Sequence, residues 1–331
     1  MRVLIVKLSS LGDVVHSMPV VHDIRAAYPG ARIDWVVEPG FAPMLRRLTG
    51  IGEVIECSLR RWRGEWWSYQ TRVEWKAFVA QLRRERYDAV LDLQGLTKSA
   101  LIARLARCSP GGARFGLANR TDGAGWEPPA RWLADKAIRI PPRTHALDRS
   151  RELAAQALGY GLQGPPVFGL RAIGSTSAAA RSVVFVHGSS RHDKLWAEAN
   201  WIALGKRLVA DGWRIVLPQG SDEEEARARG LAYAIGEAYC ELWPRMNLGL
   251  LVDRLGATQG VIGVDSGPSH IAVALDLPHV QLYNFPTAWR TGPQAAHGHR
   301  HQVSVGGESP PLLDDVWNAW HQVAAVSGLV A

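Results

Sequence analysis

Several short constellations in this chain place acidic, basic and hydroxyl side chains directly after apolar runs. The first is Lys7-Leu8-Ser9-Ser10-Leu11-Gly12-Asp13, which follows Val3-Leu4-Ile5-Val6 and leads into a helix-like segment. A buried strand feeding a small-residue loop and then a helix brings backbone donors and polar side chains to a ligand crevice. Gly12 lets the backbone approach a ligand, and the N–H groups of the helix start favour an anion. Asp13 is a candidate general base and equally a candidate helix cap. The second constellation is Val264-Asp265-Ser266-Gly267-Pro268-Ser269-His270, after the apolar run Val261–Val264. Gly267 and Pro268 turn the chain into a helix whose first N–H groups, with the Ser266 hydroxyl, suit a phosphate. His270, four residues after Ser266, shares its face. A serine hydrolase would need Gly-x-Ser-x-Gly, but in Gly263–Gly267 the central position is Asp265, so an anion-binding helix start is the better reading.

Three further clusters carry charge. Ser189-Ser190-Arg191-His192-Asp193-Lys194 supplies hydroxyls and a cation suited to a diphosphate, unless Lys194 is an ordinary solvated lysine. Gly220-Ser221-Asp222-Glu223-Glu224-Glu225 offers a carboxylate for ribose hydroxyls, or an acidic first turn that complements the helix dipole. Arg60-Arg61-Trp62-Arg63-Gly64-Glu65-Trp66-Trp67 interleaves cations and rings. That pattern fits nucleic acid, anionic lipid head groups, or a solvated loop with partly buried rings. His297-Gly298-His299-Arg300-His301 has metal-ligand spacing without a nearby acid or cysteine, and reads as a surface loop. No Gly-x-x-x-x-Gly-Lys-[Ser/Thr] occurs, which excludes a P-loop NTPase.

These clusters need elements to position them. In the first half, strand-like runs (Val3–Val6, Ile33–Val37, Glu53–Cys57, Ala89–Leu93) alternate with helical ones (Val14–Tyr28, Arg72–Arg86, Lys98–Arg107, His145–Leu158). In the second half, strands Val183–Val186, Arg214–Leu217, Val261–Val264 and Val280–Tyr283 alternate with helices Glu198–Ala210, Asp222–Ile235, Leu248–Leu255 and Leu312–Val326. Alternation of this kind predicts parallel sheets covered by helices. Gly159-Tyr160-Gly161-Leu162-Gln163-Gly164-Pro165-Pro166 matches Gly-x-Gly-x-x-Gly but follows a helix, and its prolines forbid the helix that the dinucleotide fingerprint must open. It reads as a connection between domains, which predicts an N-terminal domain at 1–160, a linker at 161–181 that takes in the Gly/Ser/Ala-rich patch Gly174–Ala180, and a C-terminal domain at 182–331. The expected fold is α/β, two Rossmann-like doubly wound domains with a cleft between them, the closing helix (about 312–327) free to pack back on the first.

Composition narrows the partners. The chain has 331 residues, 47% hydrophobic and 21% charged, as ordinary globular proteins do. A formal charge of +7 favours an anionic partner. Three dispersed cysteines, Cys57, Cys108 and Cys240, suit a reducing compartment and support no thiolate metal site. No apolar run is long enough to span a bilayer, and the four-residue run before Lys7 makes no signal peptide. Fourteen tryptophans are many for this length.

Taken together, Lys7–His16, Arg60-Arg61-Trp62-Arg63, Asp92-Leu93-Gln94-Gly95-Leu96-Thr97-Lys98-Ser99-Ala100, Lys194-Leu195-Trp196 and Val264–His270 resemble the ADP-heptose:lipopolysaccharide heptosyltransferases of glycosyltransferase family 9, most closely the type I members. The resemblance implies the GT-B architecture and inverting transfer of L-glycero-D-manno-heptose from ADP-heptose to a Kdo residue of Kdo2-lipid A, with a later core sugar as the alternative. It implies Asp13 as the base, and Lys194 meeting the diphosphate with Ser189, Ser190, Ser266 and Gly267. Ser9, Ser10, Gly12, Asp265 and His270 join the donor site. Glu224 or Glu225 would hold the ribose, and Met246 would pack on adenine. Lys7, Arg60, Arg61, Arg63, Gln94 and Lys98 would hold the acceptor's carboxylates and phosphates. No metal, other cofactor or nucleic acid is implied. The implied location is peripheral, on the anionic cytoplasmic face of the inner membrane. The chain departs from the family at Gly125-Trp126-Glu127-Pro128, where relatives tend to carry arginine at the second position, at Ser266 in place of threonine, and in Phe285–Gly292 after the last apolar strand.

Overall fold

The computed structural model describes residues 1–174 and 181–329; of the patch Gly174–Ala180 only Gly174 is among them. The chain divides into two compact units, Met1–Leu170 and Arg171–Ala331. The first contains β1 (Arg2–Val6), β2 (Arg32–Val37), β3 (Val54–Glu56), β4 (Arg86–Asp92), β5 (Arg107–Leu117) and β6 (Lys136–Ile138), ordered β3-β2-β1-β4-β5-β6. The second contains β7 (Ser182–Val186), β8 (Arg214–Leu217), β9 (Cys240–Leu242), β10 (Gly260–Val264), β11 (His279–Tyr283) and β12 (Gln302–Gly306), ordered β12-β11-β10-β7-β8-β9. Counted within its own unit, each sheet has the order 3-2-1-4-5-6, and all pairings are parallel. Parallel strands need crossovers, so helices cover both faces and the central strands are buried on both sides. Val3–Val6 and Val183–Val186 accordingly expose almost nothing.

In such sheets the ligand crevice opens at the strands' carboxyl ends, where the order reverses. That point lies between β1 and β4 in the first unit and between β7 and β10 in the second. Close approach there requires a glycine: a Cβ on Gly263 would stand 2.7 Å from Val186 Cβ and 2.4 Å from Ser269 Oγ.

Some elements differ from the sequence reading. The helix expected over Val14–Tyr28 is two, Leu11–Ser17 and Pro19–Ala27, because Pro19 has no N–H to continue the first. The helix expected over Arg72–Arg86 runs Tyr69–Leu82, and Arg86 already opens β4. Arg60–Gly64 is not loop but part of the helix Leu59–Gly64. The segment from Gly159 packs into the first unit: Tyr160 lies edge-on to Tyr28 at 6.3 Å, and Gly164 O accepts from Arg151 at 3.4 Å. The His297–His301 stretch is no surface loop, since His297 and His299 are both buried, 6.1 Å apart.

Tryptophans fill the second core. Trp201 packs on Phe185 at 4.8 Å and on Trp196 at 5.1 Å, and Trp213 meets Trp320 at 5.2 Å. Trp320 belongs to the closing helix, Leu313–Val326, which is built into this core with Val316 and Val323. No helix among the described residues is long and apolar enough to cross a membrane.

The last helix of the first unit, Ala146–Leu158, carries a buried pair. Arg151 Nε and Nη2 donate to Asp23 at 2.7 and 3.0 Å, and both residues are nearly inaccessible. Removing one partner of a buried pair leaves an uncompensated charge. Arg151→Ala should cost about 3–5 kcal/mol in the first unit's unfolding free energy. The double replacement Asp23→Leu with Arg151→Met should cost much less, as urea unfolding will measure.

Candidate active site

In the first unit the chemistry gathers at the ends of β1 and β4. Ser10 is the N-cap of the helix Leu11–Ser17, and Asp13 occupies its third position. Asp13 Oδ2 accepts from Ser10 Oγ at 2.8 Å and Ser10 N at 3.3 Å, so the aspartate does serve the helix start. Its other oxygen faces two cations: Lys7 Nζ at 3.9 Å and Arg149 Nη2 at 3.6 Å. The side chains of Lys7 and Arg149 are 3% and 7% exposed, that of Asp13 39%, so the carboxylate is the reachable member. Partial burial works to raise the Asp13 carboxyl, but Lys7 and Arg149, with Ser10 and His16, outweigh it and hold it well below the usual carboxylate range. Burial brings the Lys7 ammonium down to about 8, with Asp13 opposing it.

Two residues expected to face an acceptor instead support this loop. Lys7 Nζ donates to Leu93 O at 3.2 Å. Gln94 is buried, its Oε1 accepting from Leu8 N at 2.8 Å and its Nε2 lying 3.5 Å from Ser9 Oγ. Both are interior because β1 and β4 are neighbours whose ends must be tied together. Asp92, at the end of β4, accepts from the Gln94 and Gly95 N–H groups at 3.0 and 3.3 Å and from Ser99 Oγ at 3.1 Å.

Beside Ser9 lies a pocket of about 280 Å³ lined by Glu38, Leu59, Arg60, Arg63, Gly64 and Lys98 as well. Three of the expected cations, Arg60, Arg63 and Lys98, therefore share one wall with Ser9. Arg61 is not among them: it pairs with Glu74 and Glu65 on the outer surface. Glu38, which the sequence does not single out, accepts from Arg60 N at 3.1 Å. Ser58 makes no side-chain cap to the helix Leu59–Gly64, so the Glu38 carboxylate serves that end from the β2 loop. Burial raises the Glu38 carboxyl, against the Arg60 N–H and the Arg60 and Lys98 charges. Trp126 and Glu127, at the departure from the family pattern, also hold structure: Trp126 Nε1 donates to Leu117 O at 3.1 Å, and Glu127 accepts from Thr97 N at 2.8 Å, the first residue of Lys98's helix.

In the second unit the corresponding ends carry the opposite arrangement. Lys194 Nζ meets Asp265 Oδ2 at 2.6 Å, and His270 Nε2 lies 3.2 Å from Asp265 Oδ1. Asp265 and His270 are buried, so both act behind Lys194 rather than at the surface expected of donor contacts. Burial opposes ionisation of Asp265, but His270 and Lys194 outweigh it and hold the carboxyl well below its ordinary range. Ser266 is the N-cap of the helix Gly267–Ala274, and its Oγ is buried without a hydrogen-bond partner among the described residues. Asn284, after β11, donates from Nδ2 to Asp193 O and Leu195 O, both at 2.9 Å, and so fixes the turn that carries Lys194. Ser189 Oγ accepts from Arg191 N at 3.3 Å, and Ser190 is exposed.

The acidic run separates by geometry. Glu224 reaches back to Gly220 N at 2.6 Å and lies over the turn after β7, where a Cβ on Gly188 would come within 2.3 Å of its Oε1. Glu225 turns away to Arg229 and Arg245. Met246 is half-buried in the loop after β9.

Two Rossmann-like units, one ending in a reachable carboxylate and the other in a lysine and helix start suited to a diphosphate, define a GT-B glycosyltransferase. The chain belongs to glycosyltransferase family 9 (heptosyltransferase), whose model matches residues 75–308. It is 41% identical over 290 residues to lipopolysaccharide heptosyltransferase 1 of Escherichia coli strain K12, covering 86% of this chain and 88% of that one. Among solved structures it resembles E. coli heptosyltransferase WaaC with ADP, at a TM-score of 0.84 and 35% identity over 99% of this chain and all of that one. It also resembles the same enzyme with ADP-2-deoxy-2-fluoro heptose, at 0.80 and 36% over 98% and 99%.

Asp92 provides a test of the buried network. Burial raises its carboxyl to about 6 from an ordinary 3.8, against the bonds from Gln94, Ser99 and Gly95. Between those values the folded chain holds a proton that the unfolded chain has lost. Stability from this group is therefore full below pH 3.8 and lost as pH rises through 6. Asp92→Asn should remove that part of the pH dependence, on the order of 3 kcal/mol, from the difference between unfolding free energies at pH 4 and pH 7.

Proposed function

We propose that this heptosyltransferase moves heptose from ADP-L-glycero-D-manno-heptose to a Kdo residue of Kdo2-lipid A, inverting the anomeric carbon and requiring no metal. The observation that carries the reading is Asp13: an ionised carboxylate, still reachable, braced by two buried cations. In the proposed step the acceptor hydroxyl gives its proton to Asp13 while its oxygen attacks the anomeric carbon. The bond from that carbon to the diphosphate oxygen breaks, and ADP leaves with the electron pair. Lys194, the unpartnered Ser266 hydroxyl, the N–H groups from Gly267 and the Ser189 and Ser190 hydroxyls would meet the charge that develops there. Glu224 is the better candidate for the ribose, since it lies at the ends of β7 and β8 while Glu225 is taken by arginines. Met246, after β9, would pack on the adenine.

The acceptor is anionic, and the pocket lined by Arg60, Arg63 and Lys98 offers three cations for its carboxylates and phosphates. Because that acceptor is lipid-linked, the enzyme would work peripherally at the cytoplasmic face of the inner membrane. Arg60 and Arg63 of the Arg/Trp segment then serve the acceptor rather than nucleic acid.

Asp13→Asn should lower transfer at least a hundredfold while ADP binding by calorimetry stays within twofold; retention of more than about a tenth of the rate would contradict a base. Wild-type transfer should persist in EDTA and should use Kdo2-lipid A but not an acceptor already bearing the first heptose. Glu38→Ala should raise the acceptor KM about tenfold with kcat nearly unchanged, as expected when a positioning contact to Arg60 is lost. Glu38→Gln, which keeps an oxygen for the Arg60 N–H, should restore most of it. A fall in kcat as large as the rise in KM would overturn the positioning role.

A further inference from the structure

The helix Tyr69–Leu82 and the turn before it have an unpartnered side. Thr71, Phe78 and Leu82 point into the first unit, and Trp75 packs on Trp62 and Phe78, both at 5.7 Å. The opposite side is bare. Trp67 is 88% exposed, Tyr69 78%, Trp66 48% and Val73 42%. Tyr69, Val73, Lys76 and Ala80 recur at helical spacing, so they form one outward stripe, and all are exposed. Exposed rings of this size, gathered over eight residues rather than scattered singly, mark a contact surface.

Charge says what it contacts. Between Leu59 and Lys76 the cations are Arg60, Arg61, Arg63, Arg72 and Lys76, and the acids are Glu65 and Glu74. Arg61 engages both acids, which leaves the other four cations in excess around the aromatic side chains. Aromatic rings with an apolar body and a polar tip, flanked by basic side chains, suit the head-group layer of an anionic bilayer. A nucleic acid would instead need hydrogen-bonding groups along the stripe, and Val73, Ala77 and Ala80 supply none. The pocket lined by Arg60, Arg63 and Lys98 adjoins this side through the helix Leu59–Gly64.

We infer that the outward side of Trp66–Ala80 is a docking surface for anionic phospholipid, with Trp67 and Tyr69 seated among the head groups and Arg72 and Lys76 pairing with their phosphates. The inference rests on the proposed lipid-linked acceptor, whose sugars would enter the adjoining pocket while its acyl chains stay in the bilayer.

Flotation with vesicles of phosphatidylethanolamine and phosphatidylglycerol (3:1), against vesicles of phosphatidylcholine alone, tests it. The wild type should float with the anionic vesicles and release in high salt. The pair Trp67→Ala with Tyr69→Ala should lose binding about tenfold. Arg72→Gln with Lys76→Gln should lose roughly twentyfold on anionic vesicles only. Both variants should transfer heptose to a deacylated, water-soluble Kdo acceptor within twofold of wild type, yet fail on the same sugars carried in vesicles. Undiminished flotation of the aromatic variant would overturn the surface, and so would its loss of transfer to the soluble acceptor. Tighter binding of the wild type to single-stranded DNA than to anionic vesicles would also overturn it. A wild type that transfers to neither acceptor would refute the transferase reading, while the flotation result would still decide the surface by itself.

Discussion

Two buried cations beside one carboxylate organise the first unit. A lysine or arginine withdrawn from water is costly unless an opposite charge and hydrogen bonds replace the solvent. Lys7 has Asp13 and the Leu93 carbonyl, and Arg149 has Asp13 and the Thr121 hydroxyl. The end of β1, the end of β4 and the helix Ala146–Leu158 therefore have to converge on Asp13, and Arg151 of that same helix, paired with Asp23 of the helix Pro19–Ala27, fixes its seat. The arrangement also bears on chemistry. A carboxylate with so low a proton affinity is a weak base toward a resting hydroxyl. In the proposed step the hydroxyl becomes acidic only as its oxygen bonds to carbon, so the carboxylate would act late, where stabilisation raises the rate. Its gain from the flanking cations is orientation and a fixed charge state.

How far this was legible in the sequence depended on whether the signal was local. Glu198–Ala210, Asp222–Ile235 and Leu248–Leu255 have the limits suggested by their apolar periodicity, by the acidic first turns of the first two and by the Ser221 and Asn247 caps. The runs at β1 and β7 are short and wholly apolar, which only a twice-covered strand requires. β5 was hidden because Arg107–Leu117 contains Pro110, Gly111 and Gly112, and its register shifts opposite Tyr87 and Ala89. β6 and β9 are three residues each, too short for any alternation to show. At the site, the loop Lys7–Asp13 and the motif Asp265–His270 were visible because their residues are adjacent in the chain. Arg149 was not: in sequence it is one more polar residue of a helix, and only the packing of that helix on Leu11–Ser17 makes it a partner of Asp13. Glu38 and Asn284 escaped for the same reason. Each follows a strand, where spacing cannot say which neighbouring loop the side chain will hold.

The two units apply one topology to opposite ends. In each, the pair sits where strand order reverses, contributed by the loop after the first strand and, in the second unit, by the loop after the fourth as well. In the first unit the cation is interior, with the Lys7 side chain 3% exposed and that of Asp13 39%. In the second the acid is interior, with Asp265 at 5% and Lys194 at 19%. Inward charge is stabilised by outward charge in both, but the member left toward solvent has the reverse sign. A reachable anion suits a neutral hydroxyl that must lose a proton, and a reachable cation suits a diphosphate that must gain negative charge. In the proposed reaction the burial order within each pair, more than the residue types, would suit one unit to the nucleophile and the other to the leaving group. Exchanging the residues of either pair would keep the ion pair and its stabilising Coulomb energy, yet leave the opposite sign toward solvent.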